Sequence, residues 1–290
     1  MQRSVFVISG VAAFATIGIA RVERATTWTD SVFKTLERRI NGRLGVAAVE
    51  VLGPGRMLYR EKERFALASV QKLALVMTVL ARIDRHRERL ERLIRFGRGD
   101  LAVHHSVIAD QYPNGGAVTV EALCSLAISE SDNTAANLLA TAVGGPPRVT
   151  AYMRTIGFSD IRVAHTERDL PSRATPTIIA TDGATPSAVA GLIARLAYRS
   201  PLSNDSTRLL LRWMSQTQTG ARRLRAGLPS GWSVADKTGT YENAANDAGL
   251  ISSPRGRSFA VAVFCQTAQG VDAAETAIRS VARAIAARFS

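Results

Sequence analysis

The sequence predicts an α/β (α+β) fold: one antiparallel five-stranded sheet built from N- and C-terminal segments, flanked by helices, with an all-helical lobe inserted between them. Two observations carry this. Strand-like runs occur near both ends of the chain, and the long middle shows apolar residues at 3–4 spacing. A third is the final segment, an amphipathic helix suited to covering a sheet face. No repeat and no Pro/Gly-rich linker separates these parts.

The elements follow in order. Val32, Phe33, Leu36 and Ile40 predict a helix over residues 29–43. Residues 45–52 (GVAAVEVL) read as a strand, Gly53-Pro54-Gly55 as a turn and residues 56–59 as the partner strand of a hairpin. Helices are expected over 69–84, 119–129, 134–143, 186–198 and 206–216. Residues 157–185 show no periodicity and contain Pro171 and Pro176, and a loop of that length in a compact protein is usually functional. Strands return at 232–240, 248–251 and 259–265 (FAVAVFC). The helix over 273–289 puts Ala277, Val281, Ile285 and Phe289 on one face. Residues 21–60 and 223–290 therefore form an α/β lobe, and 61–222 a helical lobe carrying an Ω-like loop at about 160–185.

Composition removes several function classes. The 290 residues are 46% hydrophobic and 21% charged, enough apolar content for a sizeable core. Two cysteines, Cys124 and Cys265, exclude a disulfide scaffold; they read as buried small hydrophobes, with a bridge between them left open. His86, His104, His105 and His165 show no metal-binding spacing, and no phosphate-binding glycine loop is present. The net charge of +13 suggests nucleic acid at first sight. Yet the arginines are spread along the chain without aromatic interleaving, and the densest run, residues 82–98, alternates with Asp84, Glu88 and Glu91 as on a solvated helix face.

Arg3 followed by an apolar run from Val5 to Ala20 reads as a secretory signal peptide over residues 1–20, short of a membrane span. An exported chain, periplasmic or secreted, without stable membrane insertion after signal removal is expected.

Four groups of residues carry chemistry. Ser69-Val70-Gln71-Lys72 opens an apolar helix, and spacing of three puts hydroxyl and amine on one face as nucleophile and proton acceptor. Ser69 alone reads equally as a helix cap, but a capping box asks for Glu three residues on, not Lys. Ser131-Asp132-Asn133 lies in a polar break between helices, where ordinary cap-and-turn chemistry is the plainer reading. Lys237-Thr238-Gly239-Thr240 ends a strand, and Gly239 permits close backbone approach. Glu167 sits in the long loop, where most carboxylates are simply solvated. The chain has only four lysines (Lys34, Lys62, Lys72, Lys237), so two of them falling in such contexts argues against chance.

Taken together, these motifs resemble the class A serine β-lactamases. The resemblance covers nearly all of the chain beyond the leader, including residues 219–239, Asp182-Gly183-Ala184-Thr185-Pro186 and Asn246-Asp247. It implies a β-lactamase/transpeptidase-like fold and hydrolysis of penicillin- or cephalosporin-type rings through a Ser69 acyl-enzyme. In that scheme Lys72 accepts or relays the proton, Ser131 delivers one to the departing nitrogen, and Glu167 activates the deacylating water. Either Lys72 or Glu167 serves as the acylation base. Lys237, Asn133, Thr238, Gly239, Thr240, Arg223 and His104 would contact substrate, and the backbone N–H groups of Ser69 and Thr240 would form the oxyanion hole. Asp132 would hold its loop. The resemblance implies no metal or organic cofactor, a small-molecule β-lactam as substrate, no nucleic acid, and a monomer.

The chain also departs from the family pattern Arg-x-Glu-Pro-x-Leu-Asn. Pro171 stands where an asparagine helps hold the deacylating water, His165 where an arginine pairs with the residue equivalent to Asp182, and His104 where a tyrosine lines the entrance. From Glu167 to Asp182 the loop is two residues longer than expected. These departures bear on deacylation, so a D,D-peptidase, penicillin-binding protein or β-lactam sensor that acylates at Ser69 without efficient deacylation is the alternative.

Overall fold

The computed structural model describes residues 30–289, so the expected signal peptide lies outside the described residues. Helix α1 (residues 30–39) ends earlier than its apolar spacing predicts. Asn41 takes a left-handed φ of 42°, a conformation asparagine tolerates after a helix, and β1 (Gly42–Glu50) begins at the next residue. β1 returns as β2 (Arg56–Tyr59) with Val46 opposite Tyr59, the expected hairpin. A short β3 (Phe65–Ala66) and a 3-10 turn (Ala68–Val70) lead into α2 (Gln71–Ile83).

Beyond Ile83 the reading of residues 82–98 as a helix face is corrected. His86 turns left-handed (φ 56°), the chain runs through turns, and β4 (Leu93–Gly97) pairs with β5 (Gly115–Thr119). The Glu88–Arg92 ion pair suggested by the charge pattern exists at 2.6 Å, but within a turn. The helical part continues with α3 (Val107–Gln111), α4 (Val120–Ser129), α5 (Asn133–Val143) and α6 (Pro146–Thr155). α6 is hidden in the sequence because Pro146 and Pro147 look like breakers, whereas in a first turn their missing N–H groups are harmless.

The long 157–185 segment holds α7 (Pro176–Thr181) and β6 (Gly183–Ala184), which pairs with β3. Then come α8 (Pro186–Ala197), α9 (Asn204–Ser215) and α10 (Leu224–Gly227). β7 (Ser233–Tyr241), β8 (Ala244–Ser252), β9 (Ser258–Thr267) and α11 (Val271–Phe289) complete the chain.

All five long strands pair antiparallel in the order β2-β1-β9-β8-β7, so the N-terminal hairpin joins the C-terminal meander through β1 and β9. Alternation along β9 sorts the two faces. Ala260, Ala262 and Phe264 pack with Ala47 of β1 into the core shared with α2, α4, α5, α8 and α9. Val261, Val263 and Cys265 pack with Leu44, Val46 and Ala48 against Phe33 of α1 and Ile278, Val281, Ile285 and Phe289 of α11. Burying each such large side chain contributes about 1.5–3 kcal/mol. Among the described residues no helix is long and apolar enough to cross a membrane.

Cys124 and Cys265 are buried free thiols in these two separate cores. Burial pushes both thiols up, Cys265 to about 12, so neither is a thiolate nucleophile at neutral pH.

On the neighbouring strands β7 and β8, Asp236 and Asp247 are fully buried in contact with each other. Burial raises both carboxyls, and for Asp247 the adjoining Asp236 charge raises it further, so the pair favours holding a proton. An unfolded aspartate ionises near pH ~3.9. Stability is therefore lost as pH rises above that value towards the raised folded pKa. Asp247→Asn keeps the shape without the charge. It should melt roughly 2–4 °C higher than the parent at pH 7, and the difference should shrink as pH falls towards 4. Scanning calorimetry at the two pH values checks the sign.

Candidate active site

Ser69 lies in the 3-10 turn that leads into α2. The preceding Ala68 is held at φ 48°, a strained conformation for a residue with a side chain. Two contacts hold this turn. Asn246 of β8 donates its amide Nδ2 to the carbonyls of Ala66 (2.8 Å) and Leu67 (3.1 Å). Gly239 of β7 lies so close that a Cβ there would sit 2.6 Å from the Leu67 carbonyl oxygen and 3.1 Å from the Ser69 nitrogen. The glycine between Thr238 and Thr240 is thus required by the approach of strand to turn.

Lys72 and Lys237 are both fully buried, an arrangement that only polar partners sustain. Lys72 Nζ donates to the Ser131 carbonyl and to Asn133 Oδ1, each at 2.6 Å, and lies 3.4 Å from Ser131 Oγ and 3.5 Å from Glu167 Oε2. Lys237 Nζ donates to Ser131 Oγ and to the Thr238 carbonyl, both at 2.9 Å. The Ser131 hydroxyl therefore stands between two amines. Burial lowers the pKa of both lysines. For Lys237 the nearby Lys72 charge lowers it further, and Glu167 and Asp236 oppose the shift. For Lys72 it is Glu167 and Asp132 that oppose. Amines so placed give up a proton more readily than exposed ones.

Ser131 itself is left-handed (φ 57°) in the turn between α4 and α5. Asp132, 1% exposed, fixes that turn: Oδ1 accepts from the Ala135 N–H (2.8 Å) and Oδ2 from the Ile108 N–H (2.9 Å). It is a holding residue, as its position as the N-cap of α5 requires.

Glu167 reaches the same point from the long loop. Its Oε2 accepts from the Ser69 hydroxyl at 3.4 Å, and its Oε1 accepts from Gln71 Nε2 at 2.9 Å. A triangle with two sides of about 2.8 Å, the ordinary O–H···O length, closes on a 3.4 Å base. Both oxygens belong to residues that line the same open crevice, within reach of one solvent molecule by distance. The loop is closed by buried Asp182. Its Oδ1 accepts from the N–H groups of Ala164 (2.7 Å) and His165 (2.9 Å), and its Oδ2 meets His165 Nδ1 at 2.6 Å. His165 itself thus makes the closing contact, and Arg168 donates to the Gly99 carbonyl.

These groups face one crevice of about 310 Å³. Ser69, Ser131, Asn133, Glu167, Thr238, Gly239, Thr240, Arg223, His104 and Pro171 all line it. Arg223 is nearly buried. Its guanidinium donates to the Gly239 carbonyl (3.0 Å), the Asn246 carbonyl (2.9 Å) and Thr240 Oγ1 (2.7 Å), and pairs with Glu275 (3.1 Å). Asn133 Nδ2 donates to the His104 carbonyl (3.0 Å), which ties the rim to the α5 turn. Every site residue expected from the sequence meets at this crevice or, for Lys72 and Lys237, directly behind it. Gln71 was not singled out, since a glutamine in a mostly apolar helix carries no signal by itself.

The profile of the beta-lactamase enzyme family matches residues 29–289. The structure is similar to that of an ancestral class A β-lactamase, with 39% identity over 90% of this chain and 100% of that one, at a TM-score of 0.85. It is also similar to the class A β-lactamase of the last common ancestor of Gram-negative bacteria, with 40% identity over 90% and 99% of the two chains and a TM-score of 0.85. A β-lactamase from Burkholderia vietnamiensis matches at 32% identity over 89% and 95% of the two chains, with a TM-score of 0.80. The serine-centred crevice and these matches agree, and the chain belongs to the β-lactamase enzyme family as a serine β-lactamase of class A.

Proposed function

We propose that Ser69 opens the β-lactam ring and that Glu167 directs water onto the resulting ester. The observation that carries this is one carboxylate oxygen, Glu167 Oε2, lying within 3.5 Å of both the Ser69 hydroxyl and the Lys72 amine. In the first step Ser69 Oγ bonds to the ring carbonyl carbon and the C–N bond breaks. The hydroxyl proton passes to Lys72, directly or through Glu167, and on to Ser131, which hands its own proton to the departing nitrogen, so Glu167 is a free carboxylate again before the second step. The backbone N–H groups of Ser69 and Thr240 hold the oxyanion; one such donor contributes about 10²–10³ in rate.

In the second step Glu167 takes a proton from a water at the Ser69 ester. The oxygen of that water bonds to the acyl carbon, the ester bond breaks, and the proton held by Glu167 passes to Ser69 Oγ. Thr238 lines the crevice where the substrate carboxylate would lie, and the buried Lys237 and Arg223 add positive charge behind it. An amide carries two N–H hydrogens, so Asn133 retains one for the substrate's side chain while His104 shapes the rim.

We read the crevice as lying between the expected α/β lobe, described over residues 30–60 and 223–289, and the helical lobe of residues 61–222. Export behind the leader at residues 1–20 and action as a monomer complete the reading.

A chromogenic cephalosporin, followed by absorbance and by intact mass, tests it. Many turnovers per protein molecule are expected. A single stoichiometric adduct without turnover would instead identify a D,D-peptidase or a sensor.

A further inference from the structure

Gln71 is 5% exposed on the first turn of α2, beside Lys72. Its Nε2 donates to Glu167 Oε1 at 2.9 Å, while its own Oε1 is buried without a partner. Chemistry fixes this orientation, because a carboxylate accepts and only the amide nitrogen donates. The bond restrains one carboxylate oxygen and leaves the other, Oε2, facing Ser69 and Lys72. Packing does not do this alone. Gln71, Leu75, Val149, Val163, Thr166 and Glu167 border a cavity of about 20 Å³ under the loop, a gap of roughly one water beside the carboxylate. Pro171, on the same crevice, has no side-chain donor with which to take over.

We infer that Gln71 is the positioning residue of deacylation: it holds Glu167 Oε1 so that Oε2 meets the water at the Ser69 ester. This rests on the reading of Glu167 as the deacylation base. The effect belongs to the second step. For a two-step acyl transfer, slowing deacylation alone lowers kcat and KM by the same factor and leaves kcat/KM untouched, whereas general damage to the crevice lowers kcat/KM as well.

The test is Gln71→Met, which keeps length and loses the donor. Expected is a fall of roughly ten- to a hundredfold in kcat and in KM together, the range a misplaced catalytic group produces. The acyl-enzyme should become the main species by intact mass during turnover of a chromogenic cephalosporin. An unchanged kcat, or a fall in kcat/KM equal to that in kcat with no accumulated adduct, overturns the proposal. Should Gln71→Met not fold, Gln71→Leu decides: it also lacks the donor, so its acyl-enzyme must persist, and normal deacylation refutes Gln71. Glu167→Gln run in parallel separates the two claims. Normal deacylation there sinks the role of Glu167, whereas a trapped adduct there beside unimpaired Gln71 variants sinks only that of Gln71.

Discussion

Glu167→Gln is expected to lower kcat for a good cephalosporin by roughly 10²–10⁴, the usual contribution of a positioned general base. Acylation should continue, so the protein should react once and remain covalently occupied. The asymmetry follows from geometry. Lys72 is fully buried with a lowered pKa and hydrogen-bonds to Ser131, so a second proton acceptor remains for the first step. For the second step the proposed base is the carboxylate oxygen 3.4 Å from Ser69 Oγ. Gln is nearly isosteric and preserves the loop, so rapid steady-state turnover in this variant would assign deacylation to another group.

Ser69→Ala should produce a larger loss, on the order of 10⁶ in kcat, as when other acyl-transfer hydrolases lose their nucleophile. Both phases should vanish, with no adduct at any time. Folding should be nearly unaffected, because the hydroxyl makes one long hydrogen bond of 3.4 Å while the turn is held by Asn246 and Gly239. A melting temperature within a few degrees of the parent, alongside abolished turnover, separates chemistry from stability. Residual fast hydrolysis would place the nucleophile elsewhere.

Where sequence and structure part company, the reasons are local. The apolar runs of β1 and β9, and the 3.6-residue rhythm of α2, α4, α5 and α8, are legible because each buries a continuous face. β8 begins at Ala244, four residues before its apolar signal, because Asn246 and Asp247 are buried polar residues serving the Ser69 turn and the α10 backbone. Residues 84–92 mislead because charge alternation is shared by exposed helices and exposed turns, and only the left-handed His86 distinguishes them.

The site shows the same division. Ser69, Lys72, Ser131 and Lys237 stand out because few residue types do their chemistry. Glu167 could be separated from ordinary loop carboxylates only through the motifs around it. Gln71 escaped, since its significance lies in a contact with a residue 96 positions away. His165 is the opposite case. It departs from the arginine of the family pattern, yet its ring reaches Asp182 at 2.6 Å and closes the loop.

The most direct measurement of the central claim is to incubate Glu167→Gln with a penicillin, quench in acid, weigh the intact protein and map the modified peptide. Expected is one whole substrate mass per chain, borne by the peptide that contains Ser69 and lost slowly on standing. A label on any other residue, or an unlabelled protein that still hydrolyses the penicillin at the parent rate, would contradict it.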